Sequence, residues 1–272
     1  MLKIERKKAL WGFLVLGISL GLKAQHSKTY FQQTVNYDIQ VELDDSNHFL
    51  NGYEELEYIN NSHHGMDTLW FHLWPNAYKN NETALGKQLL ENGSTTFQFI
   101  DKDGRGYIDS LNFKVNDKLV KWVYHPDYID VCALILNKKL APKERITIST
   151  PFRVKIPAAG ISRLGHEGNS YQITQWYPKP AVFDKDGWHA MPYLNQGEFY
   201  SEFGTFDVRI SVPKNYVIGA TGELKTKSEI DFLSERANYS ASTPLDEITF
   251  DSISSNEYKT LHFRQANLHD FA

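Results

Sequence analysis

The chain has 272 residues, of which 41% are hydrophobic and 14% aromatic, and its formal net charge is −4. This composition supports a sizeable core and excludes an intrinsically disordered chain. An acidic balance argues against nucleic-acid binding, which requires a basic face. The single cysteine, Cys132, excludes an internal disulfide, and its apolar surroundings in VCALIL predict a buried side chain.

The first 24 residues have the three-part layout of a secretory signal. Residues 1–8 are basic, residues 9–22 are apolar, and Ala24 offers a small residue at a cleavage position. The apolar run is shorter than the roughly 20 residues that a membrane helix needs. We therefore expect residues 1–24 to be a signal peptide, residues 25–272 to be one exported β domain, and no transmembrane segment after signal removal. The alternative is an uncleaved anchor.

Export without disulfides points to the periplasm or the cell surface of a bacterium. Residues 1–24 carry five basic side chains and one acidic one, so their removal would leave a net charge of about −8.

Alternating segments separated by turns predict a β-rich fold. YDIQVEL and FLNGYEELEYIN flank the turn cluster DDSN, which predicts a hairpin over residues 37–60. An apolar strand is predicted over residues 68–78, and Pro75 ends it. Residues 79–92 are the best helical candidate because Leu85, Leu89 and Leu90 fall on one face. Short β runs follow, so we predict a mostly β fold, a sandwich or saddle of mixed sheets with one short helix.

Residues 171–222 combine strands with an aromatic loop. Tyr171, Ile173 and Gln175 alternate and predict a strand, which ends at prolines 178 and 180 because proline cannot donate to a sheet. A second alternating strand follows at residues 206–212. The aromatic residues between them form either a stacking surface for sugars or peptide side chains, or core beneath a long loop. They are Trp176, Trp188, Tyr193, Phe199 and Tyr200.

Three motifs in this part of the chain carry a family resemblance. They are TQWYPKPAVFD, FGTFDVRISVPKNYVIGATGEL and the final HFRQANLHDFA. In this order they resemble the N-terminal domain of the aminopeptidase N family, gluzincin zinc metallopeptidases that remove N-terminal residues from peptides. The resemblance implies a domain that forms one wall of the active site of a zinc-dependent hydrolase.

The resemblance also implies roles for Gln175, Trp176 and Tyr177 in substrate binding. The family glutamine lines the substrate pocket, and an amide can donate to a peptide carbonyl. Many family members carry a Glu at the position of Tyr177, where it helps to hold the α-amine of the substrate. A phenol is neutral at pH 7 and supplies no such charge. The structural alternative for Gln175 is a strand residue satisfied by backbone.

The zinc motif H-E-x-x-H, which places two imidazoles on one helical face, is absent from the sequence. We therefore expect no catalytic residues and no tight zinc binding in this chain, which would be inactive by itself. Zinc and the peptide substrate would belong to a parent enzyme whose catalytic domain is missing here. The sequence ends at Ala272 within a motif, so we expect a fragment. The alternative is a non-catalytic module that binds peptides or glycans.

Weaker candidate sites remain in the sequence. His166, Glu167 and His189 could hold a metal only if the fold brings them together. The run from Asp101 to Gly106 is similar to a calcium loop, but Asn112 stands where that loop has its glutamate, which favours a plain turn. A carboxylate pair for glycoside chemistry, on one face of a strand, is the final candidate. It comprises Glu198 and Glu202.

Overall fold

The computed structural model describes residues 30–197, 199–248 and 253–272. The predicted signal peptide and Glu198 lie outside the described residues. The longer strands are β1 (Thr34–Asp44), β2 (Phe49–Ile59), β3 (Met66–His72), β8 (Val131–Leu140), β9 (Arg145–Lys155), β15 (Gly204–Pro213) and β17 (Tyr258–Leu268). The short strands are β4 (Tyr107–Asp109), β5 (Lys114–Val115), β6 (Lys118–Leu119), β7 (Lys121–Tyr124), β10 (Gly165–Glu167), β11 (Ser170–Gln172), β12 (Lys179–Pro180), β13 (Phe183–Asp184), β14 (Gly187–Trp188) and β16 (Glu223–Leu224).

The strands form two large sheets, which confirms the predicted mostly β fold. The larger has nine strands in the order β16-β17-β15-β1-β2-β9-β5-β6, with β4 also paired to β9. The smaller has four strands in the order β12-β3-β8-β7. Two further sheets are the two-stranded pairs β10–β11 and β13–β14. Among the described strand pairs, β1 and β15 alone run parallel.

The predicted N-terminal hairpin is confirmed as β1 and β2, which pair from Thr34↔Ile59 to Asp44↔Phe49. The Asp44 side chain accepts a hydrogen bond from the Asn47 N–H at 3.1 Å and so closes the turn. Every second residue of β1 is buried from Val35 onwards, because side chains alternate between the faces of a strand. This strand therefore supplies one continuous row to the core.

One hydrophobic core takes side chains from both sheets. Tyr37 of β1 stacks on Phe206 of β15 with ring centroids 4.4 Å apart, and Phe71 of β3 meets Phe113 at 5.4 Å. Cys132 is fully buried, as its apolar surroundings predict. Burial raises the pKa of its thiol far above the ordinary value, so this cysteine acts as a small hydrophobic residue.

The helices differ from the sequence prediction in number. The predicted helix forms as α1 (Ala84–Glu91), and the Thr83 side chain caps it by accepting from the Gly86 N–H at 3.1 Å. A single turn, α2 (Thr96–Phe99), and a sixteen-residue helix, α3 (Lys227–Ser242), were not predicted. The only buried residue of α3 is Glu229, so the helix has no apolar stripe to reveal it. A 3₁₀ turn also spans Trp74–Tyr78.

The strand predicted from Tyr171 through Gln175 forms only as far as Gln172, and its extension to Gln175 is wrong. Strand β11 ends at Gln172, and Gln175 adopts the left-handed backbone conformation with φ of 55°. Chain pairing resumes at Lys179–Pro180, which form the edge strand β12 of the smaller sheet. An edge position tolerates Pro180 because its missing N–H faces away from the ladder.

Candidate functional site

The segment from Thr174 to Pro180 leads from strand β11 into strand β12 of the smaller sheet. It is hydrogen-bonded to the C-terminal end of the described chain. The Trp176 indole Nε1–H donates to the Phe271 carbonyl at 3.1 Å. Trp176 and Tyr177 are each 2% exposed, whereas Gln175 keeps 7% of its surface in contact with solvent. The three predicted substrate-binding residues therefore lie together, and Gln175 is the most exposed of them.

Four polar side chains, Gln175, Tyr177, Lys179 and Asp270, form a group that we call the buried quartet. The Gln175 amide Nε2 donates to Asp270 Oδ2, and the Gln175 Oε1 accepts from Lys179 Nζ at 2.8 Å. The Tyr177 hydroxyl donates to Asp270 Oδ1 at 2.8 Å. Lys179 Nζ lies 3.2 Å from Asp270 Oδ1. The two charged groups orient the Gln175 amide, with its oxygen toward the Lys179 ammonium and its nitrogen toward the Asp270 carboxylate.

Lys179 is the most unusual member of the quartet, because its side chain is only 2% exposed. Burial lowers the pKa of this lysine, and the nearby Asp270 carboxylate opposes that effect. Two aromatic rings also face the ammonium, with Nζ 4.7 Å from the Trp74 ring centroid and 5.6 Å from that of Tyr177. The pair of Lys179 and Asp270 makes the quartet neutral when both are ionised.

The Tyr177 side chain is buried, and its hydroxyl donates a hydrogen bond within the protein. Burial raises the pKa of this phenol well above its ordinary value, and the Asp270 carboxylate adds to the effect. The phenol therefore stays a neutral hydrogen-bond donor, and Asp270 is its acceptor. Nothing at position 177 supplies a negative charge, and the carboxylate beside Gln175 comes instead from Asp270.

Lys179 and Asp270 were not among the residues predicted from the sequence. Both belong to quoted motifs, Lys179 between two prolines and Asp270 before the final Phe-Ala. For Lys179 the available signal was a single charged residue within an apolar and aromatic run, which is uncommon unless the charge is paired; the polar surroundings of Asp270 give no such signal. The pairing itself could not be predicted, because Gln175 and Asp270 are 95 residues apart.

The weaker candidate metal residues have other partners. The His166 ring stacks on His48 with centroids 3.5 Å apart, whereas His189 Nε2 lies 2.9 Å from Asp184 Oδ1. Within the described part of the chain, no group of three or more His, Cys, Asp or Glu side chains could hold a metal ion. Asp101 Oδ1 accepts from the Gly104 N–H at 2.9 Å, which is the hydrogen bond of a plain turn.

The aromatic set separates into core and surface. Trp176 and Tyr193 are buried, and Tyr200 is 42% exposed. Glu202 is 3% exposed, and its Oε1 accepts from the Phe183 N–H at 3.2 Å. Burial raises the pKa of Glu202 to about 8, while the Phe183 N–H opposes the shift. Because Glu198 lies outside the described residues, only one member of the proposed carboxylate pair has a described position.

A cavity of about 480 Å³ adjoins Trp176 and Phe271 on the side of the larger sheet. Its walls are mostly apolar, with Ile173 and Ile210 among them, and Tyr216 also lines it. This volume lies in the range of small-ligand sites. The chemistry of the cavity suits an apolar group with a polar end.

Comparison with solved structures finds zinc metallopeptidases. An M1 zinc metallopeptidase from Deinococcus radiodurans is similar, with 16% identity over 86% of this chain and 39% of that chain and a TM-score of 0.46. A mutant of that enzyme has 15% identity, the same coverages and the same TM-score. The mutant bound to a Tyr-Ser-Ala substrate has 14% identity and a TM-score of 0.44.

This chain therefore spans 39% of the length of those metallopeptidase chains, and the activity and substrates of the longer proteins enter below as proposals. No family model matches the chain. No curated protein matches it either. In the described residues, no helix is long and apolar enough to cross a membrane.

Proposed function

We propose that this chain is the N-terminal, substrate-side domain of an exported zinc-dependent aminopeptidase, an enzyme that removes N-terminal residues from peptides. Gln175 is the proposed contact to the peptide, and its amide is held in place by hydrogen bonds to Asp270 and Lys179. A secretory signal over residues 1–24 is the basis for proposing a periplasmic or surface location.

The observation that carries the proposal is the meeting of the three motifs of the family resemblance. Residues 174–180 touch the chain end through Gln175 and Asp270, and strand β15 of the second motif pairs with strand β17 of the third. The three motifs thus meet in one part of the fold, where the Tyr177 ring also lies 5.9 Å from that of Phe206. Ligand sites often lie at domain interfaces, which agrees with a substrate-side role beside a second domain.

Zinc does not fit the residues described here, because they contain no cluster able to hold it. In the proposed parent enzyme the metal and the general base would lie outside this chain. The contribution of this chain would be positioning. The Gln175 Nε2 group has one hydrogen committed to Asp270, and the second could donate to a peptide carbonyl.

The test is expression of the coding sequence that contains this chain together with any codons that follow Ala272. The longer product should bind one zinc ion and hydrolyse aminoacyl and short peptide substrates, and chelation should abolish the hydrolysis. The 272-residue chain is the matched control and should do neither. A longer product that binds zinc but leaves every peptide intact would refute the proposal, and so would a stop codon directly after Ala272 with a stable protein.

The second candidate is a non-catalytic module that binds peptides or glycans at the cell surface. The cavity of about 480 Å³ and the exposed ring of Tyr200 favour it, because sugars and apolar side chains stack on such rings. Binding of glycans or peptides to the 272-residue chain, measured by calorimetry and lost in Tyr200→Ala, would favour the module. Absence of binding with peptidase activity in the longer product would favour the enzyme.

A further inference from the structure

The Lys179 ammonium is surrounded by the chemical groups that recognise a primary amine. Asp270 supplies a carboxylate oxygen at 3.2 Å, and Gln175 supplies an amide oxygen at 2.8 Å. The Trp74 ring lies 4.7 Å from Nζ and the Tyr177 ring 5.6 Å from it. A protonated amine has three N–H donors, and aromatic faces attract the cation. The two oxygens and the two rings together satisfy it.

The carboxylate of this site is held in place without the lysine. Asp270 Oδ1 accepts from the Tyr177 hydroxyl at 2.8 Å and from the Phe271 N–H at 3.0 Å, while Oδ2 accepts from Gln175. These bonds stabilise an ionised Asp270 and fix its orientation. The site is thus preorganised for a cation by groups other than the cation itself.

The left-handed backbone at Gln175 completes the arrangement. A positive φ is uncommon for a residue with a side chain and is kept only where surrounding contacts outweigh its cost. Here the Gln175 Oε1 bonds to Lys179 and the Gln175 Nε2 to Asp270. The Asp270 side chain is 18% exposed, compared with 2% for Lys179, so the carboxylate gives the site its contact with solvent.

We propose that Asp270, Gln175, Trp74 and Tyr177 form an ammonium-binding site that the chain fills with its own Lys179, so that Lys179 is a specificity-determining residue that keeps external primary amines away from Gln175. The functional meaning rests on the proposed contact between Gln175 and a peptide. In the wild-type protein the only carboxylate of the quartet is committed to Lys179, and the α-amine of a peptide cannot use it.

The test is chemical rescue of the Lys179→Ala variant, which lacks three methylenes and the ammonium. We expect its melting temperature to fall, and n-propylammonium to restore it in a saturable manner. A concentration 100 times its Kd should raise the melting temperature by about 5 °C. Neutral n-propanol should not reproduce the rise. The matched control is Lys138→Ala, which removes an exposed lysine that pairs with Glu144 at 2.9 Å, and this variant should not respond to propylammonium.

The carboxylate is tested by adding Asp270→Asn to Lys179→Ala, which should abolish the rescue. The proposal is overturned if propylammonium gives no rise, if propanol gives the same rise, or if the double variant or Lys138→Ala responds equally. If Lys179→Ala does not fold alone, refolding from urea with each additive, followed by circular dichroism, replaces the melt. The site is supported if the variant refolds in the presence of propylammonium but not of propanol. It is refuted if neither additive allows the variant to refold.

These outcomes are separable from those of the proposed function. The rescue uses the 272-residue chain and requires no peptidase activity, so its failure leaves the aminopeptidase proposal standing. A longer product without peptidase activity would remove the functional meaning of the site and leave the ammonium rescue unchanged.

Discussion

Replacement of Glu202 by glutamine should change how the stability of the protein depends on pH. The Glu202 side chain is almost completely buried, and within the described residues its Oε2 has no hydrogen-bond partner. Burial raises its pKa to about 8 in the folded protein, compared with about 4.3 in an unfolded chain. The folded state therefore keeps a proton that the unfolded state releases between these two values.

The sign and the size of the effect follow from proton linkage. The unfolded state binds fewer protons than the folded state between pH 4.3 and 8, so the stability from Glu202 is present in full below pH 4.3 and is lost as the pH rises to 8. The loss is at most about 1.36 kcal/mol per pH unit, which amounts to about 4 kcal/mol at pH 7. Glutamine does not ionise. The wild type should therefore lose unfolding free energy between pH 4.3 and 7, whereas Glu202→Gln should not. The difference between the variant and the wild type should rise over this range by an amount of this order.

The measurement is urea unfolding, followed by tryptophan fluorescence, at pH 5, 6, 7 and 8. Glu55→Gln, an exposed position on strand β2, is the matched control and should follow the wild-type curve. Glutamine brings its own unsatisfied N–H groups, so the variant could be less stable at every pH by about 1–3 kcal/mol. The decisive quantity is the slope of the unfolding free energy against pH. Parallel curves for Glu202→Gln and wild type would refute the assigned protonation state.

The remaining predictions concern the site, the leader and the fold. In a longer product with peptidase activity, Gln175→Ala should lower kcat/KM about tenfold and Tyr177→Phe should lower it less, because a lost hydrogen bond of about 1.4 kcal/mol corresponds to a factor of ten. Melts run beside these kinetics are needed, since Gln175 also accepts from Lys179; unchanged kinetics would give Gln175 a structural role. Mass spectrometry should find a mature N-terminus near Gln25, and an intact Met1 would contradict export with cleavage. Calorimetric titration of the 272-residue chain with zinc should show no tight stoichiometric site. Thr83→Ala should lower the unfolding free energy by about 1 kcal/mol, with Thr83→Ser close to wild type.

Strands with clear alternation were predictable because the two faces of a strand meet different surroundings. The β1–β2 hairpin and strand β15 follow their sequence patterns closely. Helix α1 was also predictable, although Leu90, one of the three leucines assigned to its buried face, is 50% exposed. Helix α3 was missed because its sequence has no apolar face. Its contacts with strand β17 include the ion pair of Glu229 with Lys259 at 2.8 Å and the Phe232 ring 4.6 Å from Lys259 Nζ, and its sequence leaves no periodic apolar trace.

The candidate site could be predicted only in part. Gln175, Trp176 and Tyr177 were predicted as substrate-binding residues from a local motif, and two of them, Gln175 and Tyr177, belong to the buried quartet. Their partners Lys179 and Asp270 were not, because an ion pair between distant parts of a chain has no local signature. The left-handed backbone of Gln175 was equally hidden, since glutamine has no preference for that conformation. Long-range contacts therefore decide the chemistry of a site whose location the sequence motif suggests.

The parallel pairing of β1 with β15 has a consequence for synthesis of the protein. Contacts across this pair join residues 169 positions apart, as between Asn36 and Thr205. At about 5–20 residues per second, a ribosome needs roughly ten to thirty seconds to deliver the second strand after the first. During that interval the β1–β2 hairpin has an unpaired edge with free N–H and C=O groups. Strand addition between nascent copies is therefore most favoured in this window, and binding by a chaperone would be most useful before residues 204–213 emerge.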